Sequence, residues 1–141
     1  MKAKRYLEQV YFLDDIIANK EAEIEYWKTV AEGLSIGSEG ERVQSSGNHQ
    51  KMASAICKYT DLEKEVDRLR NKRIEVVSTI EHLSFQEYDL LHKVYLQGRL
   101  LKEVATDKKK SYSWATKTHK NALKNLQKLI DERECRHAKK I

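Results

Sequence analysis

The chain has 141 residues and a formal net charge of +5; 35% of its residues are charged, 8% are aromatic, and proline is absent. A proline-free sequence rich in Glu, Lys, Leu and Ala, without runs of alternating polar and apolar residues, predicts an all-helical protein and argues against a β-sheet fold. It has no run of about 18 apolar residues and no apolar N-terminal segment typical of a signal peptide, so we expect a cytoplasmic protein.

The first predicted element is a long helix from Tyr6 to Leu34. Its apolar residues recur in alternating steps of four and three, which places them on one face of a helix, and only Lys20 interrupts the series. The members are Tyr6, Val10, Leu13, Ile17, Ile24, Trp27, Ala31 and Leu34. The segment at residues 33–51 contains four of the five glycines, and we expect a loop there.

A second long helix with the same apolar spacing is predicted from Met52 to Leu83, with Arg73 as the only interruption. We call its apolar series the heptad seam: Met52, Ala55, Tyr59, Leu62, Val66, Leu69, Val76, Ile80 and Leu83. Two such helices joined by a loop bury their apolar faces against each other or against another copy. Residues 1–83 are therefore predicted to form an antiparallel, coiled-coil-like helical hairpin.

Two interpretations of the heptad seam stay open. In the first, it is the internal core of a monomeric hairpin. In the second, it joins copies of the chain into a dimer or tetramer through Tyr59, Leu62, Val66, Leu69, Val76 and Ile80. Self-association is favoured because apolar residues outside the seam make the apolar surface wider than one partner helix covers. These residues are Tyr11, Phe12, Ile16, Ile56, Ile74 and Val77.

Residues 84–141 hold most of the positive charge, with 14 Lys and Arg against 7 Asp and Glu, whereas residues 1–83 carry 13 against 15. Such a division is typical of a region that binds a polyanion, because contacts with phosphates release condensed counterions. At the start of this region Ser84 and Glu87 match the capping-box pattern S-x-x-E, which predicts a helix beginning near Phe85.

Two more helices are predicted after Gly98, which is expected to end the first. The second runs from Leu100 to about Asp107, and its small Ala105 allows two helices to cross closely. The third is long and begins near Tyr112. Three helices in this order predict a helix-turn-helix domain for duplex DNA.

The first turns of the third helix carry the residues that we expect to contact DNA. A major groove admits one helix, whose exposed side chains reach the base edges. Here they are Tyr112, Ser113, Thr116, Lys117 and Lys120. The preceding Lys108, Lys109 and Lys110 are expected to contact phosphates, although cations at a helix end are also ordinary solvated charges. Trp114 is expected to pack against the neighbouring helix rather than to stack on a base.

The sequence shows no recognisable catalytic or cofactor-binding pattern. No Ser, Cys or Lys has the base context of a nucleophile, and no glycine-rich phosphate loop follows a strand. Cys57 and Cys135 are far apart, without a CxxC pattern or matched His spacing, so we expect reduced thiols and no metal site. A non-enzymatic protein without a cofactor is therefore expected.

Several short motifs resemble, in order, region four of bacterial sigma factors. They are L-S-x-x-E at residues 83–87, Y-L-x-G at residues 95–98, K-E-V-A at residues 102–105, and S-x-S-W-x-x-x-x-H-x-x-A-L at residues 111–123. More narrowly, the chain is similar to the sigma-region-four-like transcription regulators of phages and prophages of Gram-positive bacteria, the RinA, ArpU and late-transcription-regulator group. Members pair an N-terminal helical segment with this module, so the resemblance covers nearly the whole chain.

The resemblance implies a sequence-specific transcriptional activator of phage late genes, such as packaging and structural genes, that contacts the host RNA polymerase in the bacterial cytoplasm. It also implies base-contacting roles for Tyr112, Ser113, Thr116 and Lys117, and a place close to the DNA backbone for Lys120. The chain departs from the family pattern at the end of the second helix, where two lysines stand in place of an apolar residue and a glycine. Ala115 also replaces a larger aliphatic residue.

Two other functions fit the same architecture. A phage DNA-packaging recognition subunit, resembling the small terminase, also joins a helix-turn-helix to an oligomerising hairpin, and it forms a ring of many subunits. A coiled-coil adaptor that binds only proteins would show no saturable binding to DNA. The oligomeric state and the response to duplex DNA distinguish the three.

Overall fold

Five α-helices make up nearly all of the structure. The computed structural model describes residues 1–37 and 45–139; 89% of these residues are helical, and none lies in a strand. The helices are α1 (Ala3–Gly37), α2 (Ser45–Ile80), α3 (Phe85–Leu91), α4 (Leu101–Asp107) and α5 (Tyr112–Lys139), and α3 continues directly into a π-helical turn, His92–Leu96. The predicted all-helical class, with a long N-terminal helical pair, is confirmed.

The loop predicted at residues 33–51 is longer than the structure allows. Helix α1 extends through Gly37 and α2 begins at Ser45, so both ends of the predicted loop are helical. A glycine costs a helix only about 1 kcal/mol relative to alanine, which is too little to end a helix that its neighbours propagate. Residues 38–44 lie outside the described residues.

The chain divides into two compact units whose boundaries cut across both long helices. The first unit contains Met1–Phe12 and Lys72–Ile141, and the second contains Leu13–Asn71. The first unit carries 19 Lys and Arg against 10 Asp and Glu, a net charge of +9; the second carries 8 against 12, a net charge of −4. We call them the basic unit and the hairpin unit. The predicted boundary between residues 83 and 84 does not coincide with this division.

The hairpin unit is an antiparallel pair formed by parts of α1 and α2. Lys20 pairs with Glu65, whereas Lys28, two turns further along α1, pairs with the earlier Glu63 at 3.3 Å. Residue numbers therefore rise along one helix and fall along the other. The ammonium group of Lys58 also lies 4.0 Å from the centre of the Trp27 ring, a cation–π contact between the same two helices.

Four of the six predicted oligomerisation residues are buried within a single chain: Val66, Leu69, Val76 and Ile80. Val66 and Leu69 are 3% and 7% exposed and pack in the hairpin core with Leu13, Ile17 and Ile24, while Tyr59 and Leu62 are half-buried against the same core. The other two, Val76 and Ile80, belong to the core of the basic unit. Within one chain the heptad seam thus acts as internal core, which is the first of the two interpretations; its role in self-association stays a prediction.

The core of the basic unit draws on all five helices. Leu7 and Val10 from the start of α1 and Val76 and Ile80 from the end of α2 are buried together with side chains of α3, α4 and α5. The buried members from the last three helices and the π-helical turn are Leu90, Leu91, Tyr95, Val104, Ala105, Ala115, Ala122, Leu126 and Ile130. Residues 84–141 alone would leave this core incomplete, because Leu7, Val10, Val76 and Ile80 are each less than 2% exposed, and Ala3 of α1 is buried with them.

Helix α3 begins at Phe85 as predicted, but not through a capping box. The side chain of Ser84 makes no capping hydrogen bond. The Glu87 carboxylate instead accepts hydrogen bonds from Nδ2 of Asn125 on α5, at 3.0 Å to each oxygen. Glu87 therefore connects α3 to α5, and its charge near the helix start still favours the helix dipole.

Candidate nucleic-acid interface

The turn between α4 and α5 is closed by backbone hydrogen bonds that place Lys109 in a left-handed conformation. The Lys110 amide donates to the Ala105 carbonyl at 2.9 Å, and the Lys109 amide donates to the Thr106 carbonyl at 3.1 Å. This pairing is a Schellman motif, and its left-handed position is occupied by Lys109 with φ of 56°. The resembled family has a glycine here, so the turn geometry that glycine favours is kept with a lysine in its place.

Helix α5 begins at Tyr112, as predicted, and Ser111 caps it. The Trp114 amide donates to Oγ of Ser111 at 3.1 Å, which satisfies one of the amides that lack a partner in the first turn. No role was predicted for Ser111 from the sequence, although a serine directly before a helical segment is a usual capping signal. The side chain of Trp114 is half-buried against the core of the basic unit, as expected for a packing residue.

The five residues of α5 predicted to contact DNA, four at the bases and Lys120 near the backbone, lie exposed on its first turns, and we call them the reading face. They are Tyr112, Ser113, Thr116, Lys117 and Lys120. Steps of three and four residues put them on one side of the helix, opposite the buried Ala115 and Ala122. Among the described residues, neither of the two lysines has an ion-pair partner. The face therefore offers two cations, two aliphatic hydroxyl groups and a phenol to a ligand.

Lys108 is the predicted phosphate-contacting residue that the structure holds elsewhere. Its ammonium group pairs with Asp89 of α3 and lies 5.5 Å from the centre of the Phe85 ring. Burial raises the pKa of Asp89, but hydrogen bonds from Lys108 and Lys93 outweigh burial and keep this pKa below its usual value. Lys108 thus connects the end of α4 to α3, while the other two lysines of the run remain exposed.

Behind the reading face, His119 of α5 is bonded to Tyr95 of the π-helical turn. The Tyr95 hydroxyl oxygen and His119 Nε2 lie 2.8 Å apart, and the rings stack with centres 5.8 Å apart. Burial, reinforced by the charge of Lys4, lowers the pKa of His119; burial, reinforced by Glu8, raises the pKa of Tyr95 to about 12. Both rings are therefore neutral near pH 7, and their contact fixes the side of α5 that faces the core.

An open groove of about 830 Å³ borders the reading face. Its lining includes the cations Lys4, Arg99 and Lys102 together with Tyr112 and His119, and contains no carboxylate. Arg99 is bonded to Asp107, but Lys4 and Lys102 are exposed without an ion-pair partner among the described residues. No sequence pattern indicated a role for Lys4, because only packing brings the first turn of α1 to this side of α5.

Within residues 1–37 and 45–139 no helix is long and apolar enough to cross a bilayer, and no three His, Cys, Asp or Glu side chains come together as metal ligands would. A comparison of the chain with known protein families, curated proteins and solved structures finds no match. The resemblance to sigma region four therefore stays a prediction from sequence motifs, and a function must rest on the geometry and charge of the chain itself.

Proposed function

We propose that this chain is a non-enzymatic, sequence-specific DNA-binding regulator of transcription, with α4 and α5 as a helix-turn-helix that resembles sigma region four. The observation that carries the proposal is the division of charge between the two compact units. The net charge is +9 in the basic unit and −4 in the hairpin unit, a wider separation than a cut at residue 83 gives. Positive charge concentrated on one unit is the electrostatic signature of binding to a polyanion.

The chemistry of the reading face supports duplex DNA as the polyanion. Lysine donates to guanine in the major groove, and serine and threonine hydroxyls donate to or accept from several base edges. The Thr116 hydroxyl donates to the Tyr112 carbonyl at 2.9 Å, which leaves its oxygen lone pairs directed outward as acceptors. A helix that exposes these groups on its first turns fits the way a recognition helix enters the major groove.

Self-association completes the proposal, because one such module buries only about 600–1,000 Å² on DNA and binds weakly alone. Five of the six apolar residues that lie outside the heptad seam are exposed: Tyr11, Phe12, Ile16, Ile56 and Ile74. Tyr11, Phe12 and Ile74 belong to the basic unit, and Ile16 and Ile56 belong to the hairpin unit. Each set supplies apolar surface through which a dimer or tetramer would form. By the resemblance, the regulated genes are phage late genes and the further partner is the host RNA polymerase.

The first prediction is that the full chain binds duplex DNA and distinguishes a target site from random sequence. The measurement is fluorescence anisotropy of a labelled duplex, with the target obtained by selection from a random-sequence pool. Lys117→Ala should reduce the preference for the target by about 1–3 kcal/mol, since a good base contact contributes that much to discrimination.

The matched control is Lys64→Ala, which removes one exposed lysine from the hairpin unit and should leave both affinities unchanged. An absence of saturable binding by the full chain at physiological salt would overturn the proposal and favour the protein-binding adaptor. Equal effects of Lys117→Ala and Lys64→Ala would remove the reading face from the proposal.

A further inference from the structure

We infer that the N-terminal tip of α1, with Lys2, Lys4 and Arg5, is part of the DNA-binding surface and contacts phosphates beside the groove that α5 enters. The inference rests on the proposed function and extends it to residues outside the helix-turn-helix. Lys2, Lys4 and Arg5 are exposed, and no described residue forms an ion pair with them. They belong to the basic unit, although they stand 80 residues or more from its other DNA-facing residues in the chain.

The tip of α1 is held against α5 by two side chains, Gln127 and Glu134, and the Glu134 carboxylate accepts a hydrogen bond from the Met1 amino group at 2.9 Å. Oε1 of Gln127 accepts a hydrogen bond from the Ala3 amide at 2.7 Å, and Nε2 of Gln127 donates to the Met1 carbonyl at 3.0 Å. The side chain of Ala3 is buried at the same junction, only 4% exposed. A two-point hydrogen bond with buried packing fixes the backbone that carries the three cations.

Gln127 lies on the same stripe of α5 as the reading face. Thr116, Lys120 and Gln127 follow at steps of four and seven residues, which a helix of 3.6 residues per turn brings to one side. The tip of α1 therefore sits on the continuation of the reading face and not behind it. Lys4 also lines the groove that contains Tyr112 of the reading face, which places the lysine beside this face.

The distance along α5 from the reading face to Gln127 exceeds the width of a major groove in DNA. From Thr116 to Gln127 the helix rises by about 16 Å, at 1.5 Å per residue. A major groove is about 12 Å wide, so a helix whose first turns contact bases leaves the groove within this length and meets the phosphate backbone. The three cations line a second groove, in which Glu8 is the only carboxylate among the described lining residues. Beside it on α5, Glu134 pairs with the N-terminal amino group and Asp131 accepts a hydrogen bond from Gln127. The positive charge that remains fits a strip of phosphates.

The second prediction tests this inference by comparing two triple variants of the full chain. Both are measured on a duplex of random sequence, about 30 base pairs or three helical turns long. One is Lys2→Ala, Lys4→Ala, Arg5→Ala. The matched control, Lys51→Ala, Lys64→Ala, Arg68→Ala, removes the same charge from exposed positions of the hairpin unit. The readout is the slope of the logarithm of the binding constant against the logarithm of salt concentration, whose magnitude falls by about 0.9 for each phosphate that the variant no longer neutralises.

We expect the slope of the first variant to be shallower by between about 0.9 and 2.7 units, for one to three phosphates, while the control keeps the wild-type slope. A single charge reversal, Lys4→Glu, should make the slope shallower as well. Thermal melting checks that each variant keeps the wild-type fold. A wild-type slope in the first variant, or an equal change in the control, overturns the inference and leaves the proposed function standing; a wild-type chain that does not bind duplex DNA overturns both.

Discussion

At Lys109 the backbone conformation favours glycine, whereas binding to DNA favours a cation. Its φ of 56° lies in the left-handed region, which costs an L-amino acid roughly 1–2 kcal/mol and costs glycine almost nothing. Lys109 is exposed between α4 and α5, where the proposed helix-turn-helix would approach the DNA backbone. A lysine at a left-handed position that favours glycine is explained if the charge contributes more to binding than the strain costs in stability.

The third prediction separates the backbone strain at Lys109 from the charge of its side chain by two substitutions. Lys109→Gly should stabilise the protein by about 0.5–1 kcal/mol, the relief of strain reduced by the greater freedom of glycine in the unfolded chain. Lys109→Ala keeps the strain and removes only the charge, so its stability should match wild type. On DNA the salt slope of both variants should be shallower by about 0.9 units. A stabilised glycine variant with a wild-type slope would show that Lys109 only forms the turn.

The exposure of a residue could be predicted from the sequence wherever it depends only on the apolar periodicity of a single helix. The reading face and the exposed apolar residues such as Phe12 and Ile74 follow from periodicity along single helices. The pairing of Lys108 with Asp89 could not be predicted, because it joins residues of α4 and α3 that only tertiary packing brings together. For the same reason the sequence did not reveal the place of Lys4 beside α5.

At the scale of elements, the starts of α3 and α5 were predicted, whereas α1 and α2 begin before their predicted starts and the interaction of Glu87 was not predicted. Helices α3 and α5 begin at Phe85 and Tyr112 as expected, but Glu87 bonds Asn125 rather than its own helix. The π-helical turn after α3 has no sequence signature. One carbonyl in the middle of this turn has its partner on another helix, since the Tyr11 hydroxyl of α1 donates to the Val94 carbonyl at 2.7 Å.

The fourth prediction concerns the contact between α5 and the π-helical turn. Burial first, then the charge of Lys4, lowers the pKa of His119, and burial with the charge of Arg73 lowers the pKa of His92. Both histidines have an ordinary pKa of 6.5, so below this pH the unfolded chain binds protons that the folded chain does not. The free energy of unfolding should therefore be steady above pH 6.5 and should fall below it, by up to about 1.4 kcal/mol per pH unit for each histidine.

Urea denaturation followed by circular dichroism between about pH 5 and 7.5 measures this dependence. His119→Gln should make the fall shallower, since the variant cannot take up the proton. Tyr95→Phe is the matched control: it removes the other half of the contact, costs about 1 kcal/mol at every pH, and keeps the wild-type slope because His119 remains. An unchanged slope in His119→Gln would mean that burial of this ring does not govern the acid response.

At the scale of the whole molecule, the two compact units follow from which apolar side chains meet, and not from their order in the chain. The two long helices were predicted, and so was their antiparallel pairing. Their division between two cores was not, because the heptad seam keeps its spacing from Leu69 to Val76, across the single interruption at Arg73, even though Leu69 and Val76 lie in different cores. Regular apolar spacing does not show which neighbours cover each part of a helix.

The fifth prediction decides between an internal and an intermolecular heptad seam. Because Leu69 is buried with Ile24 and Val66 in one chain, Leu69→Ala should destabilise the hairpin unit by about 2–5 kcal/mol, measured by urea denaturation. Self-association should instead depend on exposed side chains. Phe12 and Ile74 are 68% and 62% exposed, and the register set by the Tyr6–Thr79 hydrogen bond places them at about the same level of the antiparallel helices.

Phe12→Ser and Ile74→Ser should therefore lower the mass found by sedimentation equilibrium without lowering stability, because truncating an exposed side chain leaves no cavity. The wild-type chain should sediment as a dimer or tetramer, whose symmetry matches a palindromic or repeated DNA site. A mass of many subunits would favour a packaging ring over a transcription regulator. If Leu69→Ala gives a stable, folded monomer while both serine variants keep the wild-type mass, the seam joins copies of the chain and the exposed residues do not.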